Sequence, residues 1–338
     1  MGLLKKRKKH RMRNWYLGVG LGIFFLLGIS GWYLYQKTVR NEEGQEAATS
    51  YNHADVITYQ GKQYVYNEHL SHFLFLGIDK AEQIETNKGS GQAGQADAIF
   101  LLSKDRVQKN VFLLAIPRDT MTEIEVYGPE GKSLGKTLDH LNLAYGYGDG
   151  GRESCMLMKE AVSNLLYGLP IQGYCSITME GMRVLADSVE GVTVTIPDDS
   201  LTQLDPSWTK GSQVNLTDET VERFLRSRDI GEEQSALGRL QRQQVFLQAY
   251  AQKAKEIYKK NPSLPVQLYD NIKTYMVTNI GKDQFVQMMA DFGSGGEMES
   301  KLLPGIASMG DAYEEYHVEE DALYELILEQ FYVEKKEG

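Results

Sequence analysis

Apolar and polar positions along the chain fall into two alternating kinds of stretch. Continuous apolar runs of strand length occur at FLFLGI (73–78), AIFLLS (98–103) and VFLLAI (111–116). Runs apolar on both faces predict central strands covered by helices. YCSIT (174–178) reads as a further strand, and VTVTIP (192–197) alternates branched residues as a half-buried strand does. Helical spacings lie between and after these runs. In 156–168, Met156, Ala161, Leu165 and Leu166 share a face and Gly168 is a stop signal; 179–189 is helical again, with Gly191 after it. LTDETVERFLRSR (216–228) offers Thr217 as N-cap, with Asp218 and Glu219 in a first turn where the helix dipole favours acids. A long helix is predicted from about Gly238 to Lys259, its apolar stripe formed by Leu240, Leu247, Ala251, Ala254 and Tyr258. VITYQ-GK-QYVYN, ahead of the first run, reads as a short hairpin. Helical and strand-like pieces continue to YHV and DALYELILEQF. Strands alternating with helices place the chain in the α/β class, and no internal repeat is visible.

One apolar stretch does not belong to that alternation. Residues 15–35, WYLGVGLGIFFLLGISGWYLY, contain no charged side chain. As a helix they span about 30 Å, the thickness of a bilayer's hydrocarbon core. Trp15, Tyr16, Trp32, Tyr33 and Tyr35 sit at the two ends, where an aromatic belt lies. A cleaved signal peptide is the rival, but its apolar region is shorter and Trp-Tyr-Leu-Tyr-Gln-Lys suits a cleavage site poorly. A buried soluble helix is the plainer alternative, and the seven basic residues ahead of Trp15 speak against it. The expected organisation is a cytoplasmic basic tip (1–14), a transmembrane helix (15–35), an extracytoplasmic stalk (36–68) and one α/β domain (69–332).

Charge sharpens that picture. The chain of 338 residues has 36 Lys and Arg against 46 Asp and Glu, a net of −10. Its first forty residues hold nine basic side chains and no acid, so the body is more acidic than the total implies. The acidic body argues against a nucleic-acid partner. Hydrophobic residues at 42% and charged residues at 24% exclude wholesale disorder. The two cysteines, Cys155 and Cys175, are too few for a disulfide scaffold and lack zinc-ligand spacing. They read as small buried residues, although an exported context permits a bridge.

Three features can carry chemistry. Asp79 follows the run FLFLGI and Asp97 opens AIFLLS. Carboxylates at the rims of buried strands can converge on Mg²⁺, which takes one or two of them together with substrate phosphate oxygens; otherwise each is an ordinary turn residue. AIPRDT (115–120) places Arg118 and Asp119 after a buried strand, where open α/β sheets bind ligands and where a guanidinium can clamp a phosphate; the bland reading is a surface ion pair. Arg223, Arg226, Arg228, Arg239 and Arg242 then crowd around DIGEEQSALG with no lysine among them. That pattern fits planar recognition of phosphate or carboxylate, or else a helix surface laced by Glu219 and Glu222. No Ser-x-x-Lys on a helix start or phosphate-binding Gly-x-x-x-x-Gly-Lys-Ser/Thr loop is present. Among the histidines only His140 falls near these residues. The inventory is that of phosphoryl transfer.

The order FLFLGIDK, QADAIFLLS, VFLLAIPRDT, KTLDHLNLAYGYGDGG, ERFLRSRD and GRLQRQQ resembles the LytR-CpsA-Psr family, best over residues 70–250. The resemblance implies a three-layer α/β/α domain with a mixed central sheet, behind a single transmembrane helix, with a long apolar pocket for a polyprenyl chain. It implies a membrane-anchored extracytoplasmic transferase that moves a glycopolymer from an undecaprenyl-pyrophosphate carrier to peptidoglycan, assisted by Mg²⁺. On that pattern Asp79 and Asp97 are the metal-binding and catalytic carboxylates. Arg118 acts in catalysis and on phosphate, and Arg226, Arg228, Arg239 and Gln243 hold the phosphates. The alternatives are a non-catalytic polyprenyl-phosphate or cell-wall binding member, or a polyprenyl pyrophosphatase with water as acceptor. A transcriptional regulator is disfavoured, because the arginines lie across the membrane from DNA. Three positions depart from the family pattern: Lys80 and Ala96 beside the aspartates, and Ala236 three residues before Arg239.

Overall fold

The computed structural model describes residues 56–79, 93–128, 130–227, 235–294 and 296–335. The segment 15–35, the basic tip, most of the stalk, Lys80 and Arg228 lie outside them. Among the described residues no helix is long and apolar enough to cross a membrane.

The strands in chain order are β1 (Ile57–Tyr59), β2 (Lys62–Tyr66), β3 (Leu70–Ile78), β4 (Ala96–Asp105), β5 (Val111–Ile116), β6 (Met121–Tyr127), β7 (Ser133–His140), β8 (Gly173–Thr178), β9 (Val192–Thr195), β10 (Gln213–Leu216), β11 (Met276–Thr278), β12 (Met298–Leu302), β13 (Gly305–Met309), β14 (Glu314–Val318) and β15 (Tyr332–Glu334). The helices are α1 (Leu143–Gly146), α2 (Arg152–Leu165), α3 (Met179–Asp187), α4 (Val221–Arg226), α5 (Ser235–Lys260), α6 (Leu264–Ile272), α7 (Lys282–Gly293) and α8 (Glu320–Phe331).

A six-stranded sheet in the order β11-β8-β3-β4-β5-β12 forms the centre. It is mixed: β3 runs parallel to β8 and β5 parallel to β12, while β4 is antiparallel to both its neighbours. The apolar runs read from the sequence are its middle strands, and β5 is buried at every position. This topology brings the carboxyl ends of β3, β5, β8 and β12 to one edge of the sheet, the edge where open α/β sheets bind ligands.

Helices cover both faces. On one, Phe100, Leu113 and Ala115 pack against Leu240 of α5, and Phe73 and Cys175 against Ile280 and Phe285 at α7. On the other, Cys155 of α2 meets Ser176 of β8, and Phe331 of α8 meets His72 and Phe112 edge-on. A second core lies under α3 to α6, where Trp208 meets Phe224 edge-on beside Val194, Phe246 and Leu268. That core ties α4 to α5. The hairpin β1–β2 pairs with β15, stitching the start of the described domain to its last strand.

Both cysteines are free and buried, and burial pushes each thiol up to about 12. Cys155 bonds Ser176 while the neighbouring Cys175 packs on the opposite face, so the plain reading of two small core residues describes them.

His72 is fully buried, with Nε2 bonded to the Tyr66 hydroxyl at 2.8 Å and Nδ1 to Ser103 Oγ at 2.7 Å. Burial pushes its imidazole from 6.5 down to about 3. The neutral ring is therefore the folded form, whereas the unfolded chain takes up a proton below about pH 6.5. The stability this site contributes is complete above pH 6.5 and is lost as pH falls toward 3, at about 1.4 kcal/mol per pH unit. Urea unfolding of His72→Gln between pH 7 and 4 should show a flatter pH dependence than the parent; parallel curves would contradict this.

Candidate functional site

The site begins with an irregularity in the ladder. β3 and β4 pair Gly77 with Ala98 and Ile78 with Ala96, so Asp97 is the extra residue of a bulge. A bulge re-aims a side chain at a sheet edge. Gly77 permits it, since a Cβ there would stand 2.9 Å from that of Ala98. Ala96 is fully buried, leaving Asp97 as the residue of this pair free to leave the ladder.

Asp97 meets two arginines from distant segments. Arg118, in the turn after β5, bonds Asp97 through Nη1, Gln95 Oε1 through Nη2 at 2.6 Å, and Asp119 through Nε at 3.2 Å. Arg239, on α5, brings Nη1 within 3.5 Å of the other Asp97 oxygen. The three are well covered, with side-chain exposures of 18% for Asp97, 17% for Arg118 and 7% for Arg239. Asn142 Nδ2 also donates to Gln95 Oε1, at 3.0 Å.

A more open pair lies beside them. Arg226, at the end of α4, bonds Asp79 through Nη2 and Glu222 through Nη1 at 3.0 Å, one turn back on its own helix. Asp79 and Arg226 are 43% and 41% exposed. The Asp79 amide donates to Gln95 O at 3.4 Å, which links this pair to the Arg118 network. Gln243 lies one turn beyond Arg239 on α5 and donates to Leu225 O at 3.2 Å, the residue before Arg226. Asp79, Asp97, Arg118, Arg226, Arg239 and Gln243 are thus gathered around one rim from two strand ends, a loop and two helices. Arg228 lies outside the described residues.

Arg242 stands apart from this rim. It is 1% exposed, and its guanidinium donates to Phe224 O at 3.1 Å, to Ser200 Oγ at 2.9 Å and to Ser227 O. Burial lowers its pKa from the ordinary arginine value. It binds the last carbonyls of α4 rather than facing a ligand. Arg223 lies over the Trp208 ring, 5.2 Å from its centroid, and 3.7 Å from Asp205. Gln95 and Asn142, by contrast, are site residues that the sequence patterns did not single out, although Gln95 opens QADAIFLLS and Asn142 lies within LNLAYG.

The sheet face under α5 and α7 carries Phe75, Ala98, Leu102 and Met276, with Leu247 and Met288 on the helices, all only half-buried. Central strands normally bury such residues fully. An incompletely covered apolar strip therefore runs back from the rim of charges. Among the described residues no group of three or more His, Cys, Asp or Glu forms a metal cage.

A mixed α/β sheet whose bulged edge opposes two carboxylates to three guanidiniums defines a protein of the layered α/β class. The LytR_cpsA_psr family model matches residues 31–331, and the chain belongs to that family. The chain is 27% identical over 291 residues to a Bacillus cereus protein named polyisoprenyl-teichoic acid–peptidoglycan teichoic acid transferase TagU, covering 84% of each chain. A namesake from Halalkalibacterium halodurans is 31% identical over 121 residues, a match spanning 33% of that relative and 36% of this chain. Among solved structures, a Streptococcus agalactiae protein superposes with a TM-score of 0.60 at 20% identity, over 76% of this chain and 85% of that one. TagV of Bacillus subtilis does so with a TM-score of 0.58 at 20% identity, over 77% and 95%. These structures share the fold.

Proposed function

We propose that this chain is a membrane-anchored, extracytoplasmic transferase. It moves a glycopolymer of the teichoic-acid kind from an undecaprenyl-pyrophosphate carrier to peptidoglycan. The observation that carries the reading is the rim of Asp79, Asp97, Arg118, Arg226 and Arg239 beside a half-covered apolar strip. A polyprenyl pyrophosphate has that same division, a long apolar tail joined to a dense negative charge. The relatives' names point to the same donor and acceptor. The uncharged segment 15–35 with its basic flank supplies the anchor and the orientation.

Arg118, Arg226 and Arg239 hold the pyrophosphate and neutralise the charge that gathers on the departing lipid phosphate. Gln95 and Asn142 fix the plane of the Arg118 guanidinium. Asp79 and Asp97 would hold Mg²⁺ as the partial shell that this ion completes with water and substrate phosphate oxygens. Bound there, Mg²⁺ would supply further charge neutralisation.

The test is transfer of labelled lipid-pyrophosphate glycan to peptidoglycan fragments by the full chain in detergent or vesicles. Labelled peptidoglycan is expected with Mg²⁺, with the rate falling at least about tenfold on chelation. Release of free glycan phosphate alone would identify a pyrophosphatase, and donor binding without turnover a carrier protein. A reporter fused to the C-terminus should be active only outside the cytoplasm.

A further inference from the structure

A cavity of about 10 Å³ opens beside the Asp97–Arg118 pair. It has room for about one water oxygen. Its walls include the carboxylate-bearing residues Asp97, Asp119, Glu314 and Glu315, together with Arg118. The last two acids come from β14, which is held at the site by Tyr316 N donating to Asp119 O at 2.9 Å and by a bridge from Tyr316 to Thr120. Three of the four carboxylates are already engaged. Asp97 is held by Arg118 and Arg239, Asp119 by Arg118, and Glu315 by His317 at 2.9 Å. Glu314 is bonded only through its backbone, where its carbonyl accepts from His140 Nε2 at 3.0 Å. Among the described residues, no hydrogen bond or ion pair engages its half-buried carboxylate.

Asp97, Asp119 and Glu315 thus already have side-chain partners. Glu314 lines the same cavity, has no such partner among the described residues, and is the acid left open to an incoming hydroxyl. We propose that Glu314 is the general base that accepts the proton of the acceptor hydroxyl, and that the cavity receives that hydroxyl oxygen. The proposal rests on the transferase reading above. The hydroxyl oxygen bonds to the phosphorus bearing the glycan, and its proton passes to Glu314. The bond from that phosphorus to the bridging pyrophosphate oxygen breaks, and the lipid departs as its monophosphate.

The experiment measures turnover and donor affinity separately, with the full chain, lipid-pyrophosphate glycan and peptidoglycan fragments. Glu314→Gln keeps the shape of the side chain and removes its basicity. It is expected to lower kcat about 10²-fold with donor Kd and unfolding temperature unchanged. Glu314→Asp, one methylene shorter, is expected to recover part of the rate. Wild-type turnover in Glu314→Gln, or a loss residing wholly in donor affinity, overturns the base assignment while leaving the transferase reading intact. A parent chain that forms no product overturns the transferase reading itself.

Discussion

Replacing Arg118 by alanine is expected to lower glycopolymer transfer by about 10³-fold while leaving the chain folded. Arg118 joins Asp97, Gln95 and Asp119, so its loss removes the guanidinium assigned to the pyrophosphate in the proposed reading as well as a contact between the turn after β5 and the start of β4. Preorganised guanidinium groups on transferring phosphoryl centres contribute on the order of 10³-fold in rate. The fold should survive because Asp97 keeps Arg239 at 3.5 Å and is therefore not left as an uncompensated charge. Arg118→Lys retains the charge but loses the fork, and should fall between the two. The checks are kcat/KM for transfer and thermal unfolding of each variant. A rate within tenfold of the parent for Arg118→Ala would remove this residue from the machinery.

Arg242→Ala should have the largest effect on stability, a loss of about 3–5 kcal/mol in urea unfolding. The side chain is buried and serves three acceptors, two of them carbonyls at the end of α4. Arg242→Lys should recover little, because a single ammonium cannot reach acceptors placed around a planar fork. Donor affinity is expected to fall as well, since α4 carries Arg226 and its carboxyl end is where Arg242 grips. A loss below about 1 kcal/mol would show that α4 is held by the Trp208–Phe224 core alone.

The sequence made the centre of the fold legible and its edges less so. The middle strands announced themselves because burial on both faces forces continuous apolar runs, and the structure places those runs in β3, β4 and β5. β7 gave no such signal. Six of its eight positions are exposed, and SLGKTLDH has neither alternation nor an apolar run. Thr217 looked like a helix cap, but Gln213–Leu216 is taken up by pairing with β9, so 217–220 forms a turn and α4 starts at Val221. Tertiary pairing outweighed a local preference there.

The same contrast holds at the site. Asp79, Asp97 and Arg118 could be placed because strand ends fix where residues go. Arg239 and Arg242 could not be told apart by spacing, for both lie on one side of α5 at i and i+3. Their partners separate them, a carboxylate in one case and backbone carbonyls in the other. Backbone acceptors leave no trace in the order of residue types. Glu314 escaped notice for a similar reason, since only the packing of β14 against the turn after β5 brings it to Arg118.

The two sets of ion pairs, Arg118–Asp97–Arg239 and Asp79–Arg226, set a baseline for every anion that enters. The guanidiniums already have internal counterions, Asp97 and Asp79, so a phosphate gains the difference between two partnerships rather than a full one. Isolated inorganic phosphate should therefore bind feebly despite three arginines. Selectivity falls to ligands that bring a second source of free energy, as a hydrocarbon tail does, and the displaced carboxylates become available as oxygen donors only once such a ligand has arrived.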